Sequence, residues 1–254
     1  EDYTVHVLRE LGEVIIHGVS IKPGKPVILA FVNDKPVIGL PGYPVSAYIG
    51  FENFVSPVLS YMGGRVEKKN KKVEAVISRR LVSSLKHKEY VRVKVGCVDD
   101  KIVAAPLARG AGAAMSLVRA DGFCVIPQNS EGCEAGEKLE VELYRDLEEI
   151  KNTAVVIGSH DLILDVMADM MPNHFPGMYL SSTHVGSMGG LMALKRGEAH
   201  IAPIHMLNEE TGIYNVSYIE KMFREPVALI KGVGRVQGIM VKKGNPLNIR
   251  SIED

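Results

Sequence analysis

Residues 88–98 read Lys-Glu-Tyr-Val-Arg-Val-Lys-Val-Gly-Cys-Val. Val91, Val93 and Val95 fall on one face, and Tyr90, Arg92 and Lys94 on the other. That period of two marks a half-buried β-strand. Outward from it, Val73–Val82, Lys101–Leu107, Phe123–Pro127 and Lys138–Tyr144 are further short strands. Their spacing predicts a small β-barrel or sandwich over residues 64–146. A glycine-led polar run (64–72) precedes it, and a charged junction, Leu147–Lys151, follows it.

The flanking regions have a different texture. In residues 1–63, Asp2 is placed to N-cap a helix carrying Val5, Leu8 and Leu11 and stopped by Gly12. Glu13–Ile21 is strand-like. Ile28–Asn33 and Pro36–Leu40 form a predicted hairpin around Asn33-Asp34-Lys35. A helix starts near Pro44, and Pro57 is expected to kink or end it. In residues 147–254, strands Ala154–Ile157, Tyr179–Ser182 and Ala199–Ile204 alternate with helices from Asp161 and Ser187. A helix over Tyr214–Phe223 and strands near Val227–Ile230 and Val236–Val241 follow. The fold class is therefore α/β multidomain, with α/β, β and α/β units at 1–63, 64–146 and 147–254.

Composition excludes several classes. The 254 residues are 46% hydrophobic and 24% charged, ordinary for a globular chain. Thirty Lys+Arg balance thirty Asp+Glu, which argues against a dedicated nucleic-acid or polybasic membrane binder. No apolar run reaches the length of a membrane span. Cys97, Cys124 and Cys133 contain no CxxC spacing, so they read as reduced thiols of a cytoplasmic protein. The chain opens at Glu1 without Met or signal peptide and stops at Asp254, the expectation for a piece of a longer protein.

Four stretches could carry chemistry. Ile21-Lys22-Pro23-Gly24-Lys25-Pro26 holds two lysines on a stiff turn, which suits an oxyanion, although solvated lysines on a surface turn read the same way. Gly39-Leu40-Pro41-Gly42-Tyr43-Pro44-Val45-Ser46-Ala47 runs from strand to helix, presenting N–H groups or simply a rigid connection. Asp2 is otherwise an N-cap, and Arg92 on a polar strand face is otherwise a solvated charge. In the third region, Ser159-His160-Asp161 and Ser181-Ser182-Thr183-His184-Val185-Gly186-Ser187 both lie between a strand and a helix. Open α/β sheets bind ligands at that edge, although Ser and Asp there also serve as ordinary caps. His200 and His205 lack zinc-site spacing and read as core or loop histidines.

Together these residues carry a resemblance. Asp2-Tyr3, Leu8-x-Glu10-Leu11-Gly12-Glu13, Ile21-Lys22-Pro23-Gly24-Lys25-Pro26 and Lys35-Pro36-Val37-Ile38-Gly39-Leu40-Pro41-Gly42-x-Pro44-Val45-Ser46-Ala47 resemble molybdopterin molybdenumtransferase, the family of bacterial MoeA and the gephyrin E domain. Glu89-Tyr90-x-Arg92, Ala120-Asp121-Gly122 and Gly136-Glu137-x-Leu139-x-Val141 resemble that family's C-terminal β domain. Residues 147–254 resemble a periplasmic-binding-protein-like domain, through Val185-Gly186-Ser187-Met188-Gly189-Gly190, Glu210-Thr211-Gly212-x-Tyr214-Asn215 and Gly244-Asn245-Pro246. The chain differs from the family in Tyr43 for Asn, Gly18 where some members have Lys, and Ala111-Gly112-Ala113-Ala114 for a serine-rich run.

The resemblance implies the end of a three-layer α/β molybdopterin-binding domain, the β domain and an incomplete ligand-binding lobe. It implies insertion of molybdate into adenylylated molybdopterin with release of AMP, and involvement of Mg2+. Asp2, Lys22 and Lys25 would be catalytic, with Asp2 also at the metal. Pro41, Gly42, Pro44, Ser46 and Arg92 would line the cofactor pocket. Ser159, His160, Ser182, Thr183 and Ser187 would face the ligand of the third unit. A homodimer and contact with other cofactor-biosynthesis proteins are implied, with no nucleic acid and no membrane, while this piece alone is expected to be inactive. The alternative is a sensor that binds an oxyanion or cofactor and keeps only a degenerate transferase part.

Overall fold

The computed structural model describes residues 3–66, 70–107, 109–110, 114–234, 236, 238–251 and 253. Asp2, the predicted cap and catalytic residue, lies outside them, as do Ala111, Gly112 and Ala113. The first helix, α1 (Thr4–Leu11), follows Tyr3 and ends at Gly12. Val5 and Leu8 are buried against the sheet, whereas Leu11, the last residue of the helix, is exposed. That sheet has β1 (Glu13–His17), then β3 (Ile28–Val32), then β4 (Lys35–Gly39), all antiparallel; β2 (Ile21–Lys22) lies elsewhere. Asn33 and Asp34 both take positive φ (50° and 59°), as the two-residue turn of a tight hairpin requires.

The strand predicted over Glu13–Ile21 is split. At Gly18 (φ 92°) the chain turns, and Gly18 N–H donates to Val27 O while Val19 N–H donates to Lys25 O. β2 therefore leaves the first sheet and pairs in parallel with a strand of the second unit. The helical run after Pro44 is α2 (Pro44–Gly50), a π-turn (Phe51–Val55) and α3 (Ser56–Met62). Pro57 does not end the helix. It sits in the first turn of α3, where its missing N–H is absorbed just after the widened π-turn.

The second unit contains β5 (Lys71–Ile77), β6 (Leu81–Val82), β7 (Lys88–Val98), β8 (Lys101–Pro106), α4 (Ala114–Arg119), β9 (Gly122–Ile126), β10 (Gly132–Cys133) and β11 (Lys138–Leu143). The order β7-β8-β5-β11-β9 closes through a β7–β9 pairing into a five-stranded barrel, with β2 added outside β7. Closure removes the free edges of the sheet. Val91, Val93, Val95, Ala75, Ile77, Cys124, Ile126 and Val141 fill the interior. Burial pushes the Cys124 thiol up to about 12, so it serves as a small apolar filler. On the other face of β7, Tyr90 and Arg92 are buried rather than solvated. The α2 helix covers that face: Ile21, Val45, Ile49, Tyr90 and Phe123 form one cluster, and Tyr90 donates its hydroxyl proton to Asn53 in the π-turn (2.7 Å).

The third unit has α5 (Leu147–Lys151), β12 (Thr153–Gly158), α6 (Leu162–His174), β13 (Tyr179–His184), α7 (Gly186–Lys195) and α8 (Val216–Met222). β12 and β13 are parallel, in register from Thr153↔Tyr179 to Gly158↔His184. The strand predicted over Ala199–Ile204 is reduced to one bridge, Val156↔Ile201. No strand forms over Val227–Ile230 or among the described residues of Val236–Val241; Ile230 and Met240 are almost fully exposed, with no neighbouring strand to take up their backbone groups. No helix is long and apolar enough to cross a membrane.

The barrel and third unit share a core. Val98 and Val103 pack with Val155, Ile157, Ala193 and Ala199. Gly96 makes this approach possible, because a Cβ there would lie 2.0 Å from Val155 Cγ2. Gly96→Ala is expected to cost about 1–3 kcal/mol by overpacking, and Val155→Ala, which removes that Cγ2, should recover part of the loss. Urea unfolding of both single variants and the double variant checks this; simple additivity would refute the contact.

Candidate functional site

Two places gather predicted site residues. The first is the seam where β2 meets β7. Ile21 anchors β2 in the cluster beneath α2, and Lys22 stands in register with Glu89. The turn after Lys22 depends on Gly24, at φ 113°; a Cβ there would sit 3.0 Å from Ile21 Cδ1 and 3.5 Å from Ser46 O. The lysine-bearing turn thus lies against the first turn of α2, so the structure brings these two predicted stretches together. Pro41 is half-buried, Gly42 and Pro44 are exposed, and Ser46 is buried. Lys25 is exposed at the far side of the turn.

Lys22 is held by a residue that spacing did not assign. Its Nζ lies 3.5 Å from Glu89 Oε1, and Arg109 Nη1 lies 3.3 Å from the same oxygen. Ser83 donates to Glu89 Oε2 at 2.7 Å, and Arg109 also donates to Val82 O. Glu89 is buried at the end of the barrel interior, on the face of Val91 and Val93. Arg92 is on the opposite face of β7, so the seam does not unite it with Lys22. Burial lowers Arg92, with the neighbouring Tyr144 oxygen opposing. Around it stand Tyr48 stacked on Phe123 (5.9 Å), Tyr90 edge-on to Phe123 (6.4 Å) and Tyr144 tilted against it (5.9 Å). Burial is also the main cause raising Tyr144 and Tyr48.

The second place is the C-terminal edge of β12 and β13. Ser159 is buried, its Oγ 2.7 Å from Ser187 Oγ. His205 N–H donates to the same Ser187 oxygen at 3.1 Å. The His160 and His184 rings meet edge-on at 4.2 Å, with Asp165 3.8 Å from His160. Asp161 caps α6 by accepting from Ile163 N–H. Thr183 is buried and Ser182 half-buried within β13. The edge unites Ser159 with Ser187 and His160 with His184; His205 joins it through a loop from which sequence spacing gave no functional signal. His200, itself exposed, instead accepts a hydrogen bond from Val155 N–H at 3.0 Å, a backbone contact at the edge of β12.

Among the described residues no group of three or more His, Cys, Asp or Glu is placed to hold a metal ion. These side chains do not by themselves make a Mg2+ site. What they supply is hydrogen-bond donors and cations, the chemistry of oxyanion recognition.

Comparison with known proteins matches this architecture segment by segment. Residues 1–61 match the family model "Probable molybdopterin binding domain", and residues 74–144 match the MoeA C-terminal region, domain IV. Residues 1–61 and 74–144 are thus similar to two domains of MoeA-type proteins. Residues 168–254 match a domain of the PBP superfamily. A protein of Methanocaldococcus jannaschii named for molybdopterin biosynthesis is 42% identical over 144 residues, 57% of this chain and 33% of that one. The molybdopterin molybdenumtransferase of Bacillus subtilis is 28% identical over 57% of this chain and 34% of its own length. A solved MoeA structure from Pyrococcus horikosii is 39% identical, with TM-score 0.47, covering 56% of this chain and 35% of that one. The chain spans about a third of the length of the curated relatives it matches.

The histidine pair predicts a pH response for the third unit. Partial burial lowers His184, the adjacent His160 lowers it further, and Asp165 opposes. A histidine lowered on folding stabilises the native state fully above its ordinary value of 6.5, and that contribution is lost as pH falls through the folded value. His184→Gln should therefore flatten the fall in urea midpoint between about pH 7.5 and 5.5; an unchanged fall would remove His184 as its source.

Proposed function

We propose that the gene product containing this chain inserts molybdate into adenylylated molybdopterin and releases AMP, in molybdenum cofactor biosynthesis. The observation that carries this reading is Lys22. It stands at the end of β2, before a turn that lies against Ser46 in the first turn of α2, in a chain whose residues 1–61 and 74–144 match molybdopterin-binding and MoeA domains. Relatives of that region in Bacillus subtilis and Staphylococcus aureus are named molybdopterin molybdenumtransferase.

In this reading, the two dithiolene sulfurs bond to molybdenum as one molybdate oxygen leaves as water with the two thiol protons, and a second water adds across the phosphoanhydride bond, so that AMP leaves and the phosphate stays on molybdopterin. The phosphoryl groups and molybdate both bring negative charge. Lys22 and Lys25 neutralise it, and a cation placed beforehand where charge concentrates lowers the barrier without reorganisation. Pro41, Gly42, Pro44 and Ser46 shape the wall next to the lysine turn. Arg92 acts from the aromatic side of β7, apart from Lys22. Asp2 would orient a metal or polar group. Ser159, His160, Ser182, Thr183 and Ser187 form the ligand side of the third unit, and hydroxyls with backbone N–H groups suit a small oxyanion. A homodimer in the cytoplasm is part of the same proposal.

The test is AMP release from adenylylated molybdopterin on addition of molybdate, with tungstate as a parallel arm, using the complete gene product. Release should require the oxyanion. Lys22→Ala should lower kcat/KM by about 100–1,000-fold, the scale for loss of one preorganised charge-stabilising group. Folded protein that releases no AMP with either oxyanion would overturn the reading.

A further inference from the structure

The charges around Glu89 are arranged by depth. The carboxylate is inside, with its side chain 4% exposed, while Lys22 and Arg109 reach outward at 52% and 36%. Both cations lie against one oxygen, Oε1, and the other oxygen is taken by Ser83. Arg79 stands close enough for Arg109 to add to burial in lowering it, and it donates to Pro106 O at 2.7 Å. The nearby carboxylates are otherwise engaged: Glu134 pairs with Arg80 at 2.9 Å, and Glu137 accepts from Glu134 N–H at 2.9 Å. One buried negative charge thus holds two outward positive charges side by side, with a third beside them.

Such an arrangement is costly for stability alone. A buried carboxylate loses its hydration, and its ion pairs recover that cost only with good geometry and further hydrogen bonds. At more than 3 Å these pairs are longer than close charge-assisted hydrogen bonds, so both cations keep donors for another acceptor. A doubly negative tetrahedral oxyanion fits them: it accepts from a guanidinium and an ammonium at once, in a setting of partial desolvation that strengthens the attraction.

We infer that Arg109 is a second oxyanion-binding residue beside Lys22, with buried Glu89 as the positioning residue that holds the two cations together. The inference rests on the proposed function for its natural ligand. A phosphoryl group of adenylylated molybdopterin and molybdate itself share the required chemistry, and the experiment separates them.

The experiment uses the complete gene product as wild type, Lys22→Ala, Arg109→Ala, Arg109→Lys, Glu89→Gln and, as a surface control, Arg80→Ala. Isothermal titration with orthomolybdate and with inorganic pyrophosphate reads binding without turnover. Steady-state AMP release reads KM for each substrate separately. Circular-dichroism melting checks that each variant is folded. Arg109→Ala should weaken one probe about tenfold and raise KM for the matching substrate, with Arg109→Lys recovering part of the loss and Arg80→Ala unchanged. An effect on orthomolybdate alone identifies molybdate as the ligand, and an effect on pyrophosphate alone identifies a phosphoryl group. Glu89→Gln should weaken binding of the same probe when made in wild type and have no effect when added to a Lys22→Ala/Arg109→Ala double variant, made for this comparison. Wild-type affinity and KM in folded Arg109→Ala, alongside a loss in Lys22→Ala, would overturn the inference and leave the proposed function standing. Binding through Lys22 and Arg109 with no AMP release in wild type would do the reverse. Loss confined to melting temperature would reduce Arg109 to a structural bond on β6.

Discussion

The constraint on which the rest depends is the path of β7. This strand takes β2 of the first unit along its beginning, pairs with β9 and β8 to close the barrel, and ends against the third unit. Its side chains alternate between barrel interior and outer face, so a slip of one residue would exchange them all. Such a slip would put Arg92 among the interior valines and lift Glu89 out of reach of Ser83. Asp121 resists it. This buried carboxylate accepts from Val95 N–H at 2.8 Å and from Arg145 at 2.6 Å, with Lys94 at 3.4 Å. A charged hydrogen bond to one chosen backbone N–H specifies register in a way that interchangeable valines cannot.

The same strand explains why the candidate site lies at a junction between units. β2 contributes Lys22, β7 contributes Glu89, and the segment after β8 contributes Arg109. None of these is adjacent in sequence to another. Parallel pairing of β2 with β7 fixes the first two opposite each other, and barrel closure fixes where the chain leaves β8. The Pro23-Gly24 turn then lies against Ser46 in the first turn of α2. Local sequence therefore makes the turn, but only the long-range pairing gives its lysine a partner.

Legibility in the sequence followed the range of the forces. The Asn33-Asp34 turn and the eleven-residue strand β7 were readable because each depends on near neighbours. The split at Gly18 was hidden inside an apolar run that could belong to either sheet. Arg92 looked solvated because nothing in a strand's pattern says that a helix covers its polar face; Tyr90 bonding to Asn53 across the barrel surface shows that it does. Glu89 and Arg109 were invisible as a pair, since their link is made only by closure. In the third unit, the meeting of Ser159 with Ser187 was legible from their places after strands. That of His205 with Ser187 was not, because His205 comes from an irregular loop after the Ile201 bridge. The run near Val236–Val241 read as strand from its composition, but a strand exists only where another takes up its backbone groups.

What holds the third unit on the barrel can be judged by magnitude. Fully burying a valine or isoleucine is worth roughly 1.5–3 kcal/mol, and four such side chains, Val98, Val103, Val155 and Ile157, share this core. Against that stand Lys101 Nζ bonding to Arg196 O at 2.9 Å on the surface and Arg145 lying 4.8 Å over the Tyr179 ring. A cation over an exposed ring contributes about 0.5–1 kcal/mol. The apolar contact therefore supplies most of the attachment, while the polar contacts choose its angle. Arg145 is suited to that second task, because Asp121 and Glu149 already fix its guanidinium before Tyr179 meets it. The carboxylate that sets the register of β7 thus also orients the unit beyond its end, so register and docking are one constraint rather than two.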